Sequence, residues 1–229
     1  MRNEEGQGTC PSDPLVFASG CPTELCQMGR RLKSRGRQIR ERKEHPTGTT
    51  KRADMCTITR EDLKGAGSEG EALRIYGRVK QTDDFVHFAQ RFMHDEDYQV
   101  ARNSLWTLTK ATDEELSQLQ PILHELIDLA LSAENSSVRR LSLNVIVRLQ
   151  MQEEDLRTDF LDFCLEHMAD VNEYPGIQSL CMKLAYRMSQ FYPELMDELI
   201  RTVKGMEMEY YKPAVKSVRN RILSGKLKI

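Results

Sequence analysis

Val138-Arg139-Arg140-Leu141-Ser142-Leu143-Asn144-Val145-Ile146-Val147-Arg148 is the stretch that decides the fold. Val138, Leu141, Val145 and Ile146 recur at the three- and four-residue steps of a single helix face, while Arg140, Asn144 and Arg148 make a polar line at i, i+4 and i+8. The pattern returns along the chain. Val100, Val138, Ile177 and Val215 stand 38, 39 and 38 positions apart, and each opens a helical stretch. Behind them run two apolar columns, Asn103, Leu141, Leu180, Val218 and Thr107, Val145, Leu184, Ile222, with Leu108, Ile146, Ala185 and Leu223 beside the second. A period of this length marks stacked two-helix units.

Each of these second, or B, stretches follows an A stretch with its own stripe. The stripes are Phe85, Phe88, Ala89, Phe92; Ile122, Leu123, Leu126, Ile127, Ala130; Phe160, Leu161, Cys164, Met168; and Leu195, Met196, Leu199, Val203. A hairpin with one apolar stripe per helix cannot bury both alone, so neighbouring hairpins must stack to complete a core. Carboxylates at Asp83, Asp113 and Glu153 to Asp155 fall where A helices should begin, as the helix dipole favours. Pro121 lies near an A-helix start, and Pro175 and Pro213 lie just before the third and fourth B helices, where a missing amide proton costs little. Turns are expected at 95–97, 134–137 and 171–176, and no strand signal is present.

With this hairpin period, and with an apolar residue followed by Arg at the start of a B helix (Val138-Arg139-Arg140), the chain resembles HEAT and armadillo-type repeat proteins. The resemblance implies an all-α fold, a right-handed α-α superhelix of about four hairpins, over residues 71–229. Residues 1–70, rich in Gly, Pro, Ser, Thr and charge, are expected to be a disordered basic tail or linker, with Met55 an alternative start for the chain. Three stretches, Ala101 to Trp106, Leu156 to Leu165 and Tyr192 to Leu195, are also similar to a small group of uncharacterised bacterial HEAT-like chains. Some of those carry the label adenylosuccinate lyase. The lyase itself resembles a longer helical tetramer with a Ser- and Gly-rich signature loop, for which this sequence has no counterpart.

Charge is segregated along the repeat. The B stretches 97–110, 135–150, 174–187 and 211–221 carry 11 Lys/Arg against Asp97 alone, whereas the A stretches 83–96, 113–134, 152–173 and 193–210 carry 23 Asp/Glu against 4 Lys/Arg. The net charge of -2 conceals this. The polar lines of the B helices are Arg102, Trp106, Lys110; Arg140, Asn144, Arg148; Ser179, Lys183, Arg187; and Ser217, Arg221. In the proteins this chain resembles, B helices line the concave face, which makes Arg102, Trp106, Lys110, Arg140, Asn144, Arg148, Lys183, Arg187 and Arg221 the expected binding residues. The expected role is a non-enzymatic interaction scaffold for an acidic partner, either a protein segment or a nucleic-acid backbone.

Enzymatic alternatives rest on fewer residues. HEAT-like DNA glycosylases that act on alkylated purines resemble this architecture and use a concave Trp and Arg with a catalytic carboxylate. Trp106 and Arg148 match that pattern, but Lys110 occupies the i+4 position on the Trp face and Asp113 falls seven residues on. Lyase chemistry is the third reading. His124-Glu125-Leu126-Ile127-Asp128 begins like a zinc-protease string but has Asp where the second His is needed. Cys10, Cys21, Cys26 and His45 lack the paired short spacings of a zinc site, and no metal or cofactor is expected. The string Gly65 to Gly70 matches G-x-G-x-x-G without the strand that a dinucleotide site needs before it, and is expected to be a flexible join. Unpatterned cysteines and the lack of a long apolar run point to a reduced, cytoplasmic protein without a membrane span.

Overall fold

The structure, a computed structural model, describes residues 57–228. These hold helices and no strand: α1 (Arg60–Lys64), α2 (Glu69–Thr82), α3 (Phe85–Phe92), α4 (Tyr98–Leu108), α5 (Asp113–Leu116), α6 (Leu123–Ser132), α7 (Ser136–Ile146), α8 (Thr158–Ala169), α9 (Pro175–Ser189), α10 (Pro193–Gly205) and α11 (Pro213–Leu223). Short 3-10 segments lie at Ser117–Ile122, Glu153–Asp155 and Met208–Tyr210. The chain is all-α, and among the described residues no helix is long and apolar enough to cross a membrane.

The B helices α4, α7, α9 and α11 pack on one another in that order, and each A helix packs on the B helix of its own hairpin. In the second layer α6 meets α8 and α8 meets α10, while α3 meets the Ser117–Ile122 turn. The periodic columns explain this order. Val100, Val138, Ile177 and Val215 are all buried, as are Leu141, Leu180 and Val218. Asn103 fills the same column with an amide because its neighbour is the short helix α1. Its Nδ2 donates to the Leu63 carbonyl at 2.8 Å, supplying a partner that the helix end lacks.

The folded body begins earlier than the periodicity indicates. Ile58, Leu63 and Ala66 are buried, and α1 packs on α4, so residues 57–70 belong to the repeat body and not to a tail. Five-residue α1 is too short to show a period, and it is held by caps: Thr59 and Asp62 form a reciprocal capping box, and Ser68 with Glu71 forms another at the start of α2. The Gly65 to Gly70 string is therefore the α1–α2 junction, where the Gly67 amide donates to Glu71. Ser68→Ala is expected to destabilise the fold by about 1 kcal/mol in urea unfolding, the usual cost of a lost N-cap. Residues 1–56, including the candidate start Met55 and Cys10, Cys21, Cys26 and His45, lie outside the described residues.

Three boundary expectations change, one of them at Glu153–Asp155, which form a 3-10 segment ahead of α8 and not its first turn, since α8 begins at Thr158. Asp83 does not open α3. It closes α2 in the left-handed region at φ 51°, where a short polar side chain is tolerated, and Asp84 is the N-cap that accepts from the His87 amide. The second A stretch is not one helix, because Pro121 sits in a 3-10 turn between α5 and α6. Glu115 of α5 ties this segment back to α2. It accepts from Lys80 Nζ at 2.8 Å, from Tyr76 Oη at 2.7 Å and from the Thr112 amide at 2.9 Å. Those contacts, Lys80 first, lower its pKa from 4.5 to about 2. A depressed carboxyl pKa gives stability that is complete above the unfolded value and is lost as pH falls. Acid unfolding should therefore steepen between pH 4.5 and about 2, and Glu115→Gln should flatten that limb in a pH series of thermal melts.

Candidate basic face of the B helices

The third column of the polar lines reaches back one repeat. Lys110 Nζ lies 2.5 Å from Glu69 Oε1 at the start of α2. Arg148 donates Nη2 to the Ala111 carbonyl at 2.6 Å, Nη1 to the Thr109 carbonyl at 3.3 Å and Nε to Asp113 Oδ1 at 2.8 Å. Arg187 repeats the arrangement one unit on, with Nη2 to the Val147 carbonyl at 2.8 Å and Nη1 to the Leu149 carbonyl at 2.6 Å. Thr109 and Val147 are the C-caps of α4 and α7. Carbonyls at a helix C-terminus have no partner within the helix, and the dipole favours a cation there. Arg148 and Arg187 are thus fasteners between successive B helices, with part of their hydrogen-bonding capacity already used.

The other columns are freer. Arg140, Lys183 and Arg221 make no ion pair among the described residues; Arg140 and Arg221 are exposed and Lys183 is half-buried. The Arg140 stem crosses the start of α9 at Gly176, where an added Cβ would stand 3.0 Å from Arg140 Cδ. Asn144, between Arg140 and Arg148 on the same line, is half-buried. Trp106 is half-buried against the core, with the Arg102 guanidinium 5.3 Å and Lys110 Nζ 5.6 Å from its ring centroid. Both distances are within cation–π range, so the indole is held by its neighbours on the same polar line. Arg102 also donates to Asn103 Oδ1 at 2.9 Å.

Arg139 and Arg140, adjacent in the start motif of α7, have different tasks. Arg139 turns toward the loop before α9, donating to the Ala133 carbonyl at 2.7 Å and approaching Glu173 at 3.7 Å. Glu173 also lies 2.7 Å from His167 Nδ1. The acids of the A layer are partly used in the same way. Asp128 pairs with Arg157, Glu125 accepts from Gln90 at 3.0 Å and faces His94 at 3.4 Å, and His124 faces Asp155 at 3.6 Å. The His124 to Asp128 string is therefore spent on contacts within the A layer. Cys164 and Cys181 are buried free thiols, and burial pushes the Cys164 thiol up. Among the described residues no group of three or more His, Cys, Asp or Glu side chains is placed to hold a metal ion.

A cleft of 660 Å³ opens between the ends of α7 and α9, and it brings together Arg148, Lys183, Arg187 and Lys228 around a single carboxylate, Asp113. Val147, Leu149, Met151 and Phe191 supply apolar wall, and Gln150 and Gln190 supply amides. Trp106 does not line it. Lys228, Gln150 and Gln190 escape sequence reasoning because they lie in turns or beyond the last helix, outside any period. Asp113 is set aside by sequence reasoning because helical spacing separates it from Trp106, but the turn after α4 carries it to Arg148.

A family model described as a HEAT repeat domain covers residues 59–226. No curated protein and no solved structure matches the chain.

Proposed function

We propose that this chain, which belongs to the HEAT repeat domain family, is a non-enzymatic interaction scaffold whose B layer binds an acidic partner, either a nucleic-acid backbone or an acidic protein segment. One observation carries the proposal. Arg140, Lys183 and Arg221 stand on successive B helices with no carboxylate partner among the described residues, although the fold satisfies many other cations with nearby acids. Uncompensated positive charge on three successive B helices attracts polyanions by counterion release; Arg102 and Arg187, which pair with no carboxylate among the described residues, add to the local potential, whereas Lys110 and Arg148 are offset by Glu69 and Asp113. The test is equilibrium binding of the full chain to duplex DNA, single-stranded RNA and poly-glutamate. Association that weakens with salt for at least one of them is expected; absence of binding to all three at low salt would sink the proposal.

A second reading has a specific observation in its favour. Asp113, at the mouth of the cleft and 2.7 Å from Arg148, which can hold it in position, presents a carboxylate of the kind that stabilises positive charge developing on a sugar as a base departs. If the chain releases alkylated purines from DNA, Asp113→Asn should abolish release and leave binding intact. Release that persists in Asp113→Asn would remove this reading.

A further inference from the structure

Two arginines cap successive B helices, and they differ in one respect. Counting from the capped carbonyls, Thr109 corresponds to Val147 and Ala111 to Leu149, so Asp113 corresponds to Met151. Arg148 has the Asp113 carboxylate at 2.7 Å, whereas Arg187 has only carbonyls, and no carboxylate pairs with it among the described residues. Arg187 is also half-buried, and burial lowers its proton affinity. Lys183 and Lys228 line the same cleft and are likewise without an ion pair among the described residues. Cations gathered along one cleft with a single carboxylate among them create a local positive potential that an anion would neutralise.

We propose that this cleft is a phosphate-binding site, in which Lys183, Arg187 and Lys228 hold the oxyanion of a phosphorylated ligand and Met151 with Phe191 face its remainder. The inference rests on the reading that the B layer is the binding surface, and it assigns the partner's chemistry. A carboxylate carries one negative charge and is matched by one arginine, as Asp113 is by Arg148. Three further cations suit a phosphate monoester, whose charge approaches two. The 660 Å³ cleft lies within the range of about 300–1,000 Å³ typical of small-ligand sites, so there is space beyond the phosphate itself. The phosphate can belong to the end of a nucleic acid or to a phosphorylated small molecule.

Calorimetry on the full chain at constant ionic strength distinguishes these sources, using inorganic phosphate, adenosine 5′-monophosphate, and a tetrathymidylate with and without a 5′-phosphate. Inorganic phosphate should bind and compete with the others, and the 5′-phosphorylated oligonucleotide should bind at least about tenfold more tightly than its unphosphorylated form. Equal affinity for the mononucleotide and the phosphorylated oligonucleotide also supports the site and assigns it to a small ligand. Lys183→Gln and Lys228→Gln should each weaken phosphate binding about tenfold. Met151→Asp, which supplies Arg187 with the carboxylate that Arg148 already has, should remove binding, while Met151→Leu should retain it. If Met151→Asp does not fold, the two lysine variants decide. Phosphate binding that is absent, or unchanged in both lysine variants, overturns the site. If the chain still binds polyanions in a salt-dependent way, the scaffold reading survives that failure; if phosphate binds and polyanions do not, the scaffold reading fails alone.

Discussion

Replacing Phe160 with Ala is expected to lower the unfolding free energy by about 3–5 kcal/mol, the usual cost of truncating a fully buried phenylalanine. Phe160 is 0% exposed and stacks on Phe163 with ring centroids 6.4 Å apart. Its helix, α8, packs on α9 within its own hairpin and on α6 and α10 in the neighbouring ones. A cavity at this position therefore weakens the hairpin and both of its interfaces. In a stacked array, stability is the sum of units and nearest-neighbour interfaces, so the damage is not confined to one helix. Urea unfolding followed by circular dichroism checks this, and a loss below about 1 kcal/mol would show that the hairpins do not share a core.

The combined substitution Arg102→Glu, Arg140→Glu and Lys183→Glu is expected to reduce polyanion affinity about a thousandfold at low salt, roughly tenfold for each reversed contact. These three are chosen because the structure separates them from the fasteners. Arg148 and Arg187 hold carbonyls of the preceding B helix, and reversing them would disturb the stack as well as the charge. Arg140 and Lys183 make no ion pair among the described residues, and Arg102 lies along the face of Trp106. Fluorescence anisotropy with a labelled duplex measures the loss, and an unchanged far-ultraviolet spectrum shows that the helices persist. Affinity that stays within a factor of three would mean that ligand binds elsewhere.

How much of this was legible in sequence depends on what kind of contact each residue makes. The columns opened by Val100, Val138, Ile177 and Val215 were readable because apolar burial repeats at every unit, and the structure buries all four. Asn103 looked like a flaw in its column, and its reason appears only when α1 is placed beside it. Helix α1 itself was hidden, since five residues held by capping hydrogen bonds leave no periodic trace. Asp83 was assigned to the wrong helix end, because an acid before an apolar run reads the same whether it caps the next helix or closes the last. At the basic face, periodicity placed Arg148, Lys183 and Arg187 on the polar lines of their helices but did not show the direction each side chain takes. It could not show that two of these arginines reach back onto carbonyls 37 to 40 residues earlier, while Lys183 does not. Nor could it bring Lys228 or Asp113 into one cleft, since both get there through turns and termini.

The most direct test of the basic face is the salt dependence of duplex binding. Association constants for the wild type and for the Arg102→Glu, Arg140→Glu, Lys183→Glu chain are measured across a salt series and plotted on logarithmic axes. The wild type should give a negative slope of magnitude about 3 or more, and the substituted chain a slope shallower by about 3. Parallel slopes for the two chains, or a wild-type slope near zero, would contradict the assignment of the B layer as a polyanion-binding surface.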